Sequence, residues 1–116
     1  MMPLPSSLTL TVETGRDSAY LRLTGDLDFS TGDAVAERAE QCLTEQPGLQ
    51  DLHIDCAELT FCDSIGVSSF LMIHRHTTAH SARLHLDNQP SFLRRLLDIT
   101  GTQHLFTQPC TAQQAE

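Results

Sequence analysis

The chain has 116 residues, 40% hydrophobic and 19% charged, enough for one domain with its own core. Fifteen acidic residues against seven basic ones give a net charge of −8, which argues against nucleic acid and anionic membrane as partners, since both need a basic footprint. All seven basic residues are Arg, so no lysine is present for a Schiff base or a phosphate loop.

Residues 1–7 and 108–116 are polar or Pro-containing and read as flexible ends around one domain at 8–107. The start lacks the basic cluster and apolar run of a signal peptide, and no apolar run approaches the ~20 residues that span a bilayer. A cytoplasmic location is expected. Leu8, Leu10 and Val12 alternate with polar residues, as do Ala19, Leu21 and Leu23, predicting two strands joined through a turn at Gly15-Arg16-Asp17. Gly25 is expected to end the second. Ser30-Thr31 offers a helix N-cap, with Asp33 in the first turn. Ala34, Val35, Ala39, Cys42 and Leu43 recur at helical spacing until Pro47-Gly48.

Leu52, Ile54 and Cys56 predict a third strand over 51–56, followed by a loop over 57–63. Ser64 to about Thr78 is apolar around most of its middle and predicts a largely buried helix. Ala82, Leu84 and Leu86 predict a fourth strand. Pro90 suits the first position of a last helix with the stripe Phe92, Leu93, Leu96, Leu97 and Ile99, and Gly101 suits its C-terminal cap. The order ββαβαβα implies right-handed crossovers, parallel pairing of strands two to four, and an antiparallel first strand. The class is α/β, a mixed four- to five-stranded sheet with helices packed against it.

Cys42, Cys56, Cys62 and Cys110 form no CxxC pair, which argues against a zinc or dithiol site; the first three read as small buried residues. His76 and His80, four apart with His74 nearby, have metal-compatible spacing, but no carboxylate or Cys completes a ligand set, so no metal is expected. No nucleophile elbow surrounds Ser64 and nothing in the sequence pairs it with a base, so no catalytic residue is assigned. Arg94 and Arg95 read as a solvated face, with Asp98 four residues after Arg94.

The sharpest local signal is Asp63-Ser64-Ile65-Gly66, where a helix opens after a strand and a loop. Free N–H groups at a helix start favour an anion, Asp63 suits a cap, and Gly66 keeps the first turn small enough for another backbone to approach Ser64. By spacing alone, plain capping is the favoured reading of Asp63 and Ser64, since capping is so common a use of these residues. Together with Gly25-Asp26-Leu27-Asp28 before it and Pro90 to Gly101 after it, the segment resembles the STAS domain family in its anti-sigma factor antagonist branch. The resemblance covers most of the chain.

That resemblance implies the family fold and a role without enzymatic activity or cofactor. It implies that an anti-sigma factor serine kinase phosphorylates Ser64, that the unphosphorylated form binds this kinase and frees a sigma factor, and that a phosphoserine phosphatase restores binding. Asp28, Thr31, Asp63, Ser64, Ile65 and Gly66 are then the expected partner-binding residues. Two positions depart from the family pattern: Ile65 stands where many antagonists have a second Ser, and Cys62 where a larger apolar residue is usual. A STAS adaptor that is not phosphorylated, serving another regulatory or transport complex, is the alternative.

Overall fold

The computed structural model describes residues 8–28 and 30–106. Strands β1 (Leu8–Thr14), β2 (Ser18–Leu27), β3 (Asp51–Cys62) and β4 (Arg83–Asp87) alternate with helices α1 (Gly32–Glu45), α2 (Ser64–Ala79), α3 (Ser91–Thr100) and the short α4 (Gln103–Phe106). They form one mixed sheet in the order β1-β2-β3-β4, antiparallel between β1 and β2 and parallel thereafter. This is the expected α/β architecture, with four strands among the described residues. The expected flexible ends, 1–7 and 108–116, lie outside the described residues.

Period-two burial sorts the sheet into two faces. Leu21, Leu23, Leu52, Ile54, Leu84 and Leu86 are buried with Val35, Ala39, Leu43, Phe70 and Ile73 from α1 and α2. α1 and α2 pack against each other and share this core, so both lie on the same side of the sheet. The intervening residues Thr11, Tyr20, Arg22, His53, Asp55, His85 and Asp87 are exposed or half-buried. Cys42, Cys56 and Cys62 are buried.

The central strands are longer than their periodicity suggested. β2 does not stop at Gly25; it runs on to Leu27, with Gly25 at φ 112°, a conformation that suits a residue without Cβ. Residues 57–62 are strand rather than loop. The register with β2 slips twice, pairing Arg22 with Asp55 but Thr24 with Glu58, and Gly25 with Leu59 but Asp26 with Phe61. Each slip places an extra residue on β3, as in a bulge. Burial beyond Ile54 therefore falls on Cys56, Leu59 and Cys62, every third residue, and the alternation that signals a strand is lost.

The helix faces also differ from expectation in places. Ala36 rather than Ala34 is buried on α1. Ile65 and Met72 are exposed on α2. On α3, Leu93 and Leu97 are buried while Phe92 and Ile99 are exposed, because only one flank of the stripe meets the core. Pro90 is the residue before the first turn, its carbonyl accepting from the N–H groups of Leu93 and Arg94, and Gly101 ends the helix at φ 73°.

Candidate functional site

β2 and β3 are parallel neighbours, so the loops leaving their C-terminal ends lie side by side, each opening a helix. Such an edge is where open α/β sheets place binding sites. Asp26 pairs with Phe61 and Leu27 with Cys62, which brings the 26–31 loop against the start of α2. The Thr60 hydroxyl donates to Asp26 Oδ1 at 2.8 Å, and the Asp63 N–H donates to the Leu27 carbonyl at 3.4 Å.

In the first loop, Asp28 Oδ1 accepts from the Ser30 N–H at 3.0 Å and the Ser30 hydroxyl at 2.7 Å. These bonds hold the carboxyl of the half-buried Asp28 below the usual carboxylate range, the side-chain bond from Ser30 contributing most. Thr31 is the residue before α1 but does not cap it through its side chain, contrary to expectation. Its buried hydroxyl turns back into the loop, donating to the Asp26 carbonyl at 3.0 Å and accepting from the Asp28 N–H at 3.0 Å. Thr31 thus braces the loop from within.

In the second loop, Asp63 does cap α2, its Oδ1 accepting from the Gly66 N–H at 2.9 Å. The anion position at this helix start is thus already held by the chain's own carboxylate. Gly66 is buried, and its small size serves an internal contact rather than a visiting backbone. A Cβ there would stand 2.7 Å from the Leu27 carbonyl oxygen and 2.7 Å from Cys62 Sγ. Burial pushes the Cys62 thiol up to about 12, so it is a packing group and no nucleophile. Gly32 similarly lets α1 close on Ser69 of α2.

Ser64 and Ile65 are the members of this loop that reach solvent on α2, Ile65 with 48% of its surface open. The Ser64 hydroxyl makes no hydrogen bond to another described residue. Phe61, three residues earlier and 47% exposed, is a surface apolar group that sequence reasoning missed, because its stretch read as loop. Its only signal was an aromatic residue beside the Asp-Ser step. The structure thus brings Asp28, Thr31, Asp63 and Gly66 together as a framework and leaves Ser64 and Ile65 outward.

The helix histidines do not converge. His76 Nε2 lies 3.9 Å from Glu40 Oε1, and His80 Nδ1 lies 2.9 Å from the His76 carbonyl oxygen. Among the described residues, no group of three or more His, Cys, Asp or Glu side chains is placed to hold a metal ion. No helix among them is long and apolar enough to cross a membrane.

Residues 10–107 match the family described as Mlab, STAS domain. The chain belongs to the STAS domain family. Among solved structures, this STAS domain is similar to the anti-sigma factor antagonist SpoIIAA in its unphosphorylated form, at TM-score 0.74 and 21% identity over 85% of this chain and 86% of that one. An anti-sigma factor antagonist from Mycobacterium paratuberculosis matches at 0.71 and 20% identity, over 90% of this chain and 87% of that one. The Bacillus cell fate determinant SpoIIAA in the phosphorylated form matches at 0.67 and 22% identity, over 85% and 89% respectively. At these identities the likeness is one of fold.

Proposed function

We propose that this STAS domain is an anti-sigma factor antagonist, a cytoplasmic binding protein rather than an enzyme. Its unphosphorylated form binds an anti-sigma factor serine kinase and so frees a sigma factor; phosphorylation of Ser64 ends that binding, and a phosphoserine phosphatase restores it. The observation that carries this reading is the exposed Ser64 at the first position of α2, beside a loop braced by Thr31 and Asp28. Phe61 and Ile65 give the surface the exposed apolar character of a protein contact.

Phosphate on Ser64 adds about −1.5 to −2 charges at neutral pH, beside Asp63 and on a chain already at −8. Two effects oppose within the chain: the helix start favours an anion, and Asp63 repels one. They roughly offset, so the fold is kept. At the contact surface nothing offsets the new charge and bulk. A loss of about 2–4 kcal/mol there weakens binding roughly 30- to 1000-fold, enough for a switch.

The test is to mix the protein with candidate anti-sigma kinases and ATP and map the phosphopeptide. Phosphate on Ser64, abolished in Ser64→Ala, is expected; phosphate on Ser68 or Ser69, with Ser64→Ala unaffected, would refute the assignment. The second reading, a STAS adaptor that is not phosphorylated, draws on the Mlab description of the matched family and on Ile65 and Cys62. It predicts no ATP-dependent labelling with any kinase and unchanged partner binding in Ser64→Asp.

A further inference from the structure

The face of the sheet away from α1 and α2 carries a row of rings. Glu13, Tyr20, His53 and His85 are successive partners across the four strands. Tyr20 stacks on His53 with centroids 4.6 Å apart, and His53 on His85 at 4.3 Å, each pair 12° from parallel. Carboxylates hold the imidazoles: His53 Nδ1 lies 2.8 Å from Asp87 Oδ2, and His85 Nε2 lies 2.8 Å from Asp51 Oδ1. Beside this row runs a second one, Thr11, Arg22, Asp55 and Asp87, again partners across all four strands.

A groove of ≈ 230 Å³ follows the second row, with Glu13 and Tyr20 on one side and Asn88 at the end. That volume suits one long side chain and falls short of the ~300–1,000 Å³ of sites for drug-sized ligands. Its lining holds three carboxylates, Glu13, Asp55 and Asp87, against the single cation Arg22. The hydrogen bond from the Ala57 N–H, then that from Asn88, keeps Asp55 below the usual carboxylate range, and Arg22 pairs with it at 3.5 Å. The Glu13 carboxylate has no hydrogen-bond or ion-pair partner among the described residues, and Asp87 has one oxygen, Oδ2, engaged by His53. Tyr20 ends the ring row 44% exposed.

We propose that this groove is a second binding site, taking the guanidinium of an arginine side chain carried by a basic segment of a protein partner. Charge and shape select that occupant. The excess of carboxylates selects a cation. His53 covers one face of Tyr20, and Asp87 lies on that covered side; the other face, toward Glu13 on β1, selects a planar cation that stacks on the ring while donating two N–H groups to the Glu13 carboxylate, and an ammonium does neither as well. The net charge of −8 draws a basic segment from a distance. No groove residue belongs to the Ser64 site.

The test is an NMR titration of the full ¹⁵N-labelled chain with the blocked peptide acetyl-Gly-Arg-Arg-Gly-amide, beside the same peptide with lysine or with neutral citrulline. Shifts clustered at Thr11, Glu13, Tyr20, Arg22, Asp55 and Asn88 are expected, with lysine binding at least fivefold more weakly and citrulline not at all. Tyr20→Leu and Glu13→Gln should each weaken the arginine peptide at least threefold. Glu13 is exposed and its carboxylate unpaired among the described residues, so its variant carries the comparison if Tyr20→Leu unfolds. No shift at millimolar peptide, equal affinity for the lysine peptide, or affinity unmoved by Glu13→Gln would each overturn the site. Argininamide bound as tightly as the peptide would overturn its assignment to a protein partner.

Discussion

Replacing Gly66 by alanine tests the contact that sets α2, and with it Ser64, against the end of β2. The new methyl would stand 2.7 Å from the Leu27 carbonyl oxygen, 2.7 Å from Cys62 Sγ and 3.1 Å from Leu27 Cγ. The Leu27 oxygen is backbone within a paired strand and accepts from the Asp63 N–H, so it cannot swing away as a side-chain tip would. Relief requires the first turn of α2 to lift. Overpacking costs about 1–3 kcal/mol, and a clash with backbone falls in the upper part of that range, about 2–3 kcal/mol. Alanine's better helix propensity returns at most about 1 kcal/mol. The net loss is about 1–2 kcal/mol, a fall of roughly 3–12 °C in Tm for a chain of this size. Gly48→Ala is the matched control: its Cβ meets nothing within 4 Å, and its stability should stay level or rise by up to about 1 kcal/mol. Urea and thermal unfolding of both variants beside wild type measure the difference. Gly66→Ala as stable as wild type would show that the Leu27 contact does not position the helix.

Asp63→Ala removes the α2 cap and should cost about 1 kcal/mol in urea unfolding, with Asp63→Asn recovering most of it, since either side chain can accept from Gly66 N–H. Ser64→Asp should unfold within about 1 kcal/mol of wild type, the helix start and Asp63 acting in opposite senses, yet bind the kinase poorly in a titration. Asp28→Ala should lower kinase binding or phosphorylation while the unfolding curve keeps its slope; unchanged affinity and unchanged labelling would count against this surface. Asp51 lies below the usual carboxylate range, its hydrogen bond with His85 contributing most. A carboxyl depressed in the folded state adds stability above its unfolded value near pH 4, and that stability is lost as pH falls through the folded value; Asp51→Asn should therefore flatten the acid limb of stability against pH. In Cys110→Ser, thiol reagent at pH 8 should react slowly with the native protein and quickly in urea, because Cys42, Cys56 and Cys62 are buried and their thiols raised.

Local chemistry alone determined a good deal. Alternation at Leu8–Val12, Ala19–Leu23, Leu52–Cys56 and Ala82–Leu86, helical spacing between them, and Gly101 as a stop are enough for the element order. From that order, crossover handedness dictates a mixed sheet with parallel strands two to four. The Asp63 cap was legible because it acts within three residues. Four things were decided only by the tertiary fold, because each depends on a neighbour distant in sequence. β3 continues to Cys62 because β2 offers it a pairing edge, and two register slips conceal the strand by spacing its buried residues in threes. Thr31 spends its hydroxyl on Asp26 instead of on α1, since the first loop must fold back against β3. Gly66 is small for the sake of Leu27, 39 positions earlier, which no local pattern reveals. The ring row of Tyr20, His53 and His85 exists only through strand register, which places side chains from three separate segments face to face.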